Sequence, residues 1–328
     1  MANIDLNLLK QKAEDNDSEA MLELAEAYRK GSGIEKNVRQ AVYWYTRSAM
    51  LGNVVAERNL GKAYFLGNGI AQDYSKAIIW STKAMEKGDL ESMNFLGICY
   101  RDGYGVLVDL VYAYRLFKEA AEKNYAPAQN NLGLCYDYGY GVEKSSSEAV
   151  KWFKLAAEQG YAQAQYNLAI CCETGNGVDF DYDAATAWYK KAAEQGYAKA
   201  QCSLANNYYY GMGIKQNYEE AFKWYSEAAN KGYAPAQNNL GYCYKHGEGV
   251  KKDYNKAASW FKIAANQNNA SALKNLGLCY EFGQGVAKDI EKAKEYYMLA
   301  VNLGNEEAQE YLDKLNGVET KSEWGIIE

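Results

Sequence analysis

Histidine is the usual side chain for acid–base catalysis near neutral pH, and this chain of 328 residues contains only one, His246. A catalytic triad needs partners for such a histidine, and a zinc centre usually needs several histidine or cysteine ligands. His246 stands beside Lys245 without a motif of either kind. We therefore predict no catalytic residue, no metal site and no cofactor, and interpret His246 as a solvated surface residue.

The seven cysteines are the other reactive side chains, and five of them recur at one position of a repeated pattern: Cys99, Cys135, Cys171, Cys243 and Cys279. Equivalent atoms in stacked helical pairs lie roughly 9–10 Å apart, whereas the Cα atoms of a disulfide stay within about 7 Å. The chain contains no Cys-x-x-Cys motif. This pattern predicts small buried thiols in a reducing compartment rather than disulfides or metal ligands.

Glycine pairs of the form Gly-x-Gly could in principle bind phosphate, but here they mark a structural repeat. Eight pairs begin at residues 31, 67, 103, 139, 175, 211, 247 and 283, always 36 residues apart. They lack the third glycine and the preceding strand of a dinucleotide-binding fingerprint. A fixed period of this length is typical of solenoid proteins.

Each unit of 36 residues predicts two helices. Good N-cap residues occupy one position eight times: Asn37, Asp73, Asp109, Ser145, Asp181, Asn217, Asp253 and Asp289. Another position alternates between glycine and asparagine, as expected of a left-handed residue after a helix. We call the helix before the Gly-x-Gly turn helix A and the helix after it helix B. Constant leucines on helix A, with alanines and tryptophans on helix B, predict a core that only stacked pairs can bury.

The repeated motif is Ala-x-x-x-Leu-Gly-x-x-Tyr-x-x-Gly-x-Gly-Val, seen well from Ala128 to Val142, followed by Asp-x-x-x-Ala-x-x-Trp-Tyr and Ala-Ala-Glu-x-Gly. It resembles the Sel1-like repeat family, a branch of the tetratricopeptide-like α/α solenoids. The resemblance implies an all-α, right-handed superhelical solenoid with a concave groove that serves as an adaptor for protein complexes. We expect an N-terminal capping helix in residues 1–19, eight repeats in 20–307, a C-terminal capping helix in 308–316 and a tail in 317–328.

One branch of that family consists of cysteine-rich secreted proteins linked with β-lactam binding. The resemblance requires a cysteine late in helix B and another early in the next helix A, but Ala157 and Ala164 stand at those positions in the best-matched junction. The chain departs from that branch. A hydrolase of cell-wall or β-lactam substrates is accordingly a remote alternative.

In the resembled fold helix A lines the concave groove, so its positions that vary between repeats are candidates for partner binding. Basic side chains lie in the first three repeats: Arg29, Arg58, Lys62 and Arg101. Aromatic and other variable residues follow in later repeats: Leu134, Tyr138, Tyr166, Tyr209, Tyr210, Tyr242 and Lys245. Aromatic residues are frequent interface anchors, and a basic end would orient an acidic peptide segment. The alternative is that these are ordinary exposed residues.

A recurring asparagine directly precedes the constant leucine and includes Asn131, Asn167 and Asn239. Its amide can donate and accept, so it could hold a peptide backbone or join one repeat to the next. Both interpretations stay open.

The net charge of −6 and the pI near 5.2 argue against a nucleic-acid-binding protein. No apolar run approaches the roughly 20 residues of a membrane span, and the first residues do not resemble a signal peptide. We predict a cytoplasmic, non-enzymatic scaffold that binds a protein or peptide, with a homo-oligomer allowed but not indicated. An exported host-interaction protein is the alternative, and the tail with Trp324 could fold back or dock on a partner.

Overall fold

The computed structural model describes residues 6–318, which contain eighteen α-helices and no strand. The chain divides into two compact units, Met1–Tyr161 and Ala162–Glu328. Helices A of the first unit are α2 (Ser18–Lys30), α4 (Val54–Leu66), α6 (Leu90–Asp102) and α8 (Ala126–Tyr138). Helices B of that unit are α3 (Val38–Met50), α5 (Tyr74–Glu86), α7 (Leu110–Glu122) and α9 (Ser146–Glu158), preceded by α1 (Leu6–Glu14).

The second unit repeats this arrangement. Its helices A are α10 (Ala162–Thr174), α12 (Ala198–Tyr210), α14 (Ala234–His246) and α16 (Ala270–Phe282). Its helices B are α11 (Tyr182–Glu194), α13 (Tyr218–Asn230), α15 (Tyr254–Ala265) and α17 (Ile290–Asn302), followed by α18 (Glu306–Leu315). The predicted all-α fold of paired helices is confirmed. The Trp324 tail lies outside the described residues.

The helix ends follow the predicted chemistry. All eight N-cap residues accept a hydrogen bond from a backbone amide of the first turn; Asp73 Oδ1, for example, accepts from the amide of Lys76 at 2.9 Å. The alternating glycine and asparagine position is left-handed, with φ of +85° at Gly52 and +64° at Asn124. These caps fix the start and the end of each helix at the same point of every repeat.

The second glycine has a further role, which the sequence did not show, in six of the pairs: Gly69, Gly105, Gly141, Gly213, Gly249 and Gly285. A Cβ atom at Gly141 would lie 2.0 Å from the carbonyl oxygen of Leu110, at the start of the preceding helix B. A Cβ at Gly139 would come no closer than 3.6 Å to any other residue. The first glycine ends the helix, and the second lets the turn lie directly on the preceding repeat.

The core of each unit consists of small and apolar side chains between helices A and B. The constant leucine and the constant helix B alanine are buried in every repeat, with exposures of 4% or less. The predicted role of the tryptophans is only partly right, because Trp44 is buried but Trp80 and Trp188 are half-buried at the core edge. The ring that fills the core belongs to the next residue, as at Phe153.

Polar pairs, each with its helix A partner buried and its helix B partner exposed, also join helix A to the end of helix B. Gln159 Nε2 donates to Gln129 Oε1 at 2.6 Å, and Gln195, Gln165, Gln267 and Gln237 form equivalent pairs. In the second repeat the same two positions hold Glu57, which is 2% exposed, and Lys87, with 2.7 Å between Nζ and Oε1. A single pair of positions thus holds either amides or an ion pair.

Candidate functional site

The predicted basic residues of the first unit are all bound by carboxylates of the same unit. Arg58 on α4 contacts Asp89 at 2.7 Å and Glu91 at 3.1 Å, both at the start of α6. Lys62, one turn along α4, also pairs with Glu91. The positive charges of these residues are therefore used to join neighbouring helices A.

Arg29 lies in a tight cluster at the end of α2. Its Nη2 is 2.6 Å from Glu26 Oε2, and Lys30 and the hydroxyl of Tyr45 contact the same carboxylate. The hydrogen bond from Arg29, helped by those from Tyr45 and Lys30, lowers the pKa of Glu26 to about 2. This cluster borders a cavity of about 300 Å³ that Asn59 and Lys62 also line.

Arg101 completes the set and contacts the carboxylate of its neighbour Asp102 at 2.7 Å. The hydrogen bond to Asp102 raises the pKa of Arg101. Each of the four basic side chains is thus already paired with a carboxylate of the same unit. Glu26 and Asp102 lie on the same helices as the arginines that they neutralise, whereas Asp89 and Glu91 lie on the next helix A and are not apparent from the sequence of one helix.

The asparagines connect neighbouring helices A within each unit. Asn131 Nδ2 donates to Asn94 Oδ1 at 2.8 Å, and Asn239 Nδ2 donates to Asn206 Oδ1 at 3.3 Å. Asn167 is half-buried on α10. Of the two interpretations left open by the sequence, these bonds favour the structural one for Asn131 and Asn239.

Two predicted residues of the first unit lie near the end of α8. Tyr138 is 60% exposed and stacks on Tyr140 of the following turn, with 5.3 Å between ring centroids. Leu134 lies one turn earlier and is half-buried. Tyr138 is thus the open aromatic ring among the predicted residues of this unit.

In the second unit three predicted tyrosines come together. Tyr209 and Tyr210 end α12, and Tyr242 lies on α14; they border a pocket of about 270 Å³. The Tyr209 ring centroid lies 4.8 Å from that of Tyr210 and 6.4 Å from that of Tyr242, with a 74° interplanar angle in both cases. Tyr225 of α13 and Asn239 of α14 complete the lining. We call these five residues the tyrosine pocket.

Tyr166 and Lys245 lie outside the tyrosine pocket. Tyr166 packs against Tyr189 and Tyr197, and burial raises its pKa to about 12. Lys245 is half-buried near the end of α14 beside His246, whose ring stacks on that of Tyr242 with 4.2 Å between ring centroids. Burial, and then the charge of Lys245, lower the pKa of His246, so its imidazole is neutral at pH 7.

A family model described as the Sel1 repeat matches eight consecutive segments of the chain: 18–53, 54–89, 90–125, 126–161, 162–197, 198–233, 234–269 and 270–305. The chain belongs to the Sel1 repeat family. Each matched segment contains one helix A, one Gly-x-Gly turn and one helix B, which confirms the resemblance found in the sequence.

Two solved structures show similar Sel1 repeats. One is a protective antigen of uropathogenic Escherichia coli with an SLR fold, 35% identical over 96% of this chain and 68% of that one, with a TM-score of 0.74. The other is a Sel1 repeat protein of Oxalobacter formigenes, 31% identical over 94% of this chain and 90% of that one, with a TM-score of 0.64. A search of curated protein sequences gives no significant match.

Sequence reasoning missed two residues of the site. Tyr225 occupies the core position of helix B and is 2% exposed, yet it also lines the tyrosine pocket. Its hydroxyl donates to Asn206 Oδ1 at 2.6 Å. Glu248 accepts a hydrogen bond from the Tyr209 hydroxyl at 2.6 Å. The sequence does hold a signal for Glu248, because it is the one charged residue among the eight middle positions of the Gly-x-Gly pairs of this Sel1 repeat chain.

Within residues 6–318 there is no group of three side chains suited to a metal ion. The same part of the chain contains no helix long and apolar enough to cross a membrane.

Proposed function

We propose that this Sel1 repeat protein is a non-enzymatic scaffold that binds a peptide segment of a protein partner on its helix A surface. Sel1 repeats are generally protein-interaction modules, and the arrangement of the helices provides no chemistry of its own. The observation that carries the proposal is the tyrosine pocket. Tyr210, at 65% exposure, and Tyr242, at 39%, lie open at a pocket between two helices A.

The cysteines support a binding role over a catalytic one. All seven are buried. Burial raises the pKa of Cys135 and Cys202 to about 12, so their thiolate forms are scarce at neutral pH. A nucleophilic cysteine needs the opposite environment, because the thiolate is the reactive form.

The kind of partner follows from which side chains are open. An acidic segment would have to compete with Glu26, Glu91 and Asp102 for the basic residues of the first unit. The side chains of Tyr210 and Tyr242, in contrast, are exposed to solvent. Tyrosine rings bury a large contact area at a small entropic cost, as interface anchors do.

The experiment is affinity capture with the wild-type chain and two folded variants. Tyr210→Ala/Tyr242→Ala removes the open rings of the tyrosine pocket. Ile263→Ala/Met298→Ala removes apolar side chains of similar exposure, 43% and 51%, from helices B of the same unit. Circular dichroism and thermal melting establish that both variants are folded.

We expect partners that the wild-type chain and the helix B variant retain and the tyrosine variant loses by at least tenfold. Loss from both variants, or from the helix B variant alone, would place binding elsewhere and contradict the proposal.

A second candidate concerns location rather than chemistry. The relative from uropathogenic Escherichia coli is a protective antigen, which favours an exported protein that meets a host. The buried thiols of Cys99, Cys135, Cys202 and Cys243, which form no disulfide, favour a reducing compartment instead, and we keep the cytoplasm as the first proposal. Cell fractionation and antibody labelling of intact cells distinguish the two, because only an exported protein is labelled on intact cells.

A further inference from the structure

We infer that the tyrosine pocket is an aromatic cage for a basic side chain, the guanidinium or ammonium group of an arginine or lysine in the bound peptide. The inference rests on the proposed function in taking the ligand to be part of a peptide. Its chemistry rests on three features of the pocket: the ring arrangement, the hydrogen-bonding state of the hydroxyl groups and the nearest charge.

The first feature is the arrangement of the rings. Tyr210 and Tyr242 each stand at 74° to Tyr209, and all three rings border the pocket, so at least two ring orientations are presented to it. Cations bind over aromatic faces within about 6 Å of a ring centroid, because the face of the ring is electron-rich. At about 270 Å³ the pocket is smaller than the roughly 300–1,000 Å³ of typical small-molecule sites. It suits the end of one side chain.

The second feature is the use of the hydroxyl protons. Tyr209 donates its proton to Glu248, and Tyr225 donates its proton to Asn206. A carboxylate ligand needs donors, and these two tyrosines have already used theirs. Their oxygen atoms keep lone pairs that can accept from an N–H group. The inner side of the pocket therefore favours a donor such as guanidinium.

The third feature is charge. Burial, followed by the hydrogen bond to Glu248, raises the pKa of Tyr209, and burial raises that of Tyr225 and Tyr242. These phenols are consequently neutral at physiological pH. The charged group that acts on Tyr209 and Tyr242 is the Glu248 carboxylate, while the neighbouring His246 is neutral at pH 7. A negative charge beside neutral rings attracts a cation and repels an acidic side chain.

The lysine nearest in sequence does not occupy this place. Lys245 follows Tyr242 by three residues, and its charge acts on Cys279 of α16 and on His246, but its side chain does not line the tyrosine pocket. Glu248 contacts the pocket directly, because its carboxylate accepts the hydrogen bond of Tyr209.

The test uses the full chain with tyrosine labelled by ¹³C at the ε carbons, titrated with glycine–serine peptides that differ in one central residue. The central residue is arginine, lysine, trimethyllysine, leucine or glutamate. Tyr210→Phe and Tyr242→Phe variants assign the two resonances. We expect the arginine and lysine peptides to shift both resonances, and the leucine and glutamate peptides to bind at least fivefold more weakly. Trimethyllysine distinguishes the two kinds of contact, since it keeps the charge but has no N–H donor.

Variants then separate the possible occupants. Tyr210→Phe keeps the ring face and should change the affinity for the arginine peptide less than twofold, whereas Tyr210→Leu should weaken it about two- to fivefold. Glu248→Gln should weaken it by a similar factor and reduce its salt dependence. Phe282→Leu, at a ring 58% exposed on α16 and outside the tyrosine pocket, is the matched control and should have no effect.

Several results would overturn the inference: preference for the glutamate peptide, equal binding by the leucine peptide, or an unchanged affinity in Tyr210→Leu. Its failure is distinguishable from failure of the scaffold proposal. Partner capture lost in Tyr210→Ala/Tyr242→Ala without any preference for cationic peptides would refute the cage alone. A cationic preference with unchanged partner capture would refute the scaffold proposal and leave the cage as a binding site.

Discussion

The ion pair of Glu57 and Lys87 allows a quantitative test of whether an apolar pair can replace an ion pair at the same two positions of a repeat. Glu57 is 2% exposed, and its Oε1 lies 2.7 Å from Nζ of Lys87, whose side chain is 40% exposed. Lys87 also donates to the carbonyl oxygen of Gly52 at 2.9 Å. In the first repeat the equivalent residues are Met21 and Leu51. The fold therefore accepts an apolar pair at the place where the second repeat has an ion pair.

The perturbation is a double-mutant cycle of Glu57→Met, Lys87→Leu and both together. Removing one partner of a fully buried ion pair costs about 3–5 kcal/mol, because the remaining charge is buried alone. Lys87 is partly exposed, so solvent already screens the pair, and we reduce the cost of Lys87→Leu to about 2–3 kcal/mol. Glu57→Met should cost about 0–1 kcal/mol, since the freed ammonium group can reach water.

The double variant should lie within about 1 kcal/mol of the wild type, because replacing a buried pair with apolar residues is often neutral. The coupling between the two sites should then be about 1–5 kcal/mol. Urea unfolding followed by circular dichroism measures each corner of the cycle, and Lys87→Leu should lower the melting temperature by about 4–12 °C. If Lys87→Leu were as stable as the wild type, or if the double variant were the least stable, the reasoning would be wrong.

Two further predictions concern the turns and the thiols. Gly139→Ala should destabilise the chain by about 1–2 kcal/mol, because φ at this residue is +77°. Gly141→Ala, with a similar φ of +70°, should destabilise it by about 2–5 kcal/mol, because the new Cβ would meet the Leu110 carbonyl oxygen at 2.0 Å. Equal urea midpoints for the two variants would refute this role of the second glycine. Burial raises the pKa of Cys99, Cys135, Cys202 and Cys243 to about 12 and that of Cys279 to about 11. Above pH 8.5–9, about the pKa of an unfolded cysteine, these thiols ionise only in the unfolded chain, so the free energy of unfolding should fall as the pH rises. Each thiol contributes up to about 1.4 kcal/mol per pH unit up to its folded pKa, and Cys135→Ala/Cys243→Ala should flatten the decline between pH 9 and 10; a flat profile in the wild type would contradict it.

The repeating framework was predictable from the sequence because each local rule appears eight times. The caps at Asp73 and its equivalents, and the left-handed position at Gly52 and Asn124, depend on neighbours within a few residues. Eight copies turn a weak local preference into a clear pattern. The half-buried position of Trp188 was not predictable in the same way, because aromatic periodicity does not show which of two adjacent rings faces the core.

The ion pairs that the basic residues form between helices could not be predicted from the sequence. Arg58 contacts Asp89 and Glu91, which follow it by 31 and 33 residues and lie on the next helix A. Charges counted along one helix at a time cannot show a pair that forms between helices. Such a pair could be predicted if the stacking register were known, because a carboxylate on the first turn of one helix A lies opposite the middle of the preceding helix A.

Variation between repeats is an incomplete guide to partner binding, because part of it is compensation within the repeat. Four helix B core positions hold a tyrosine, and each hydroxyl finds an acceptor on helix A of its own repeat: Tyr45 with Glu26, Tyr189 with Glu173, Tyr225 with Asn206 and Tyr297 with Glu281. Where the core ring is phenylalanine, as at Phe153, no acceptor is needed. In these four repeats the polar residue on helix A therefore matches the core tyrosine of its own repeat.

Repeat six differs from repeats five and eight in which residue supplies this acceptor. In repeats five and eight it is Glu173 or Glu281, at the position that Tyr209 occupies in repeat six. In repeat six Asn206, about one turn earlier, accepts from Tyr225 instead. Tyr209, at the later position, is therefore not needed as an acceptor for the core tyrosine, and its hydroxyl donates to Glu248 instead. The tyrosine pocket thus forms where the framework no longer constrains helix A, which is the property expected of a position selected for binding.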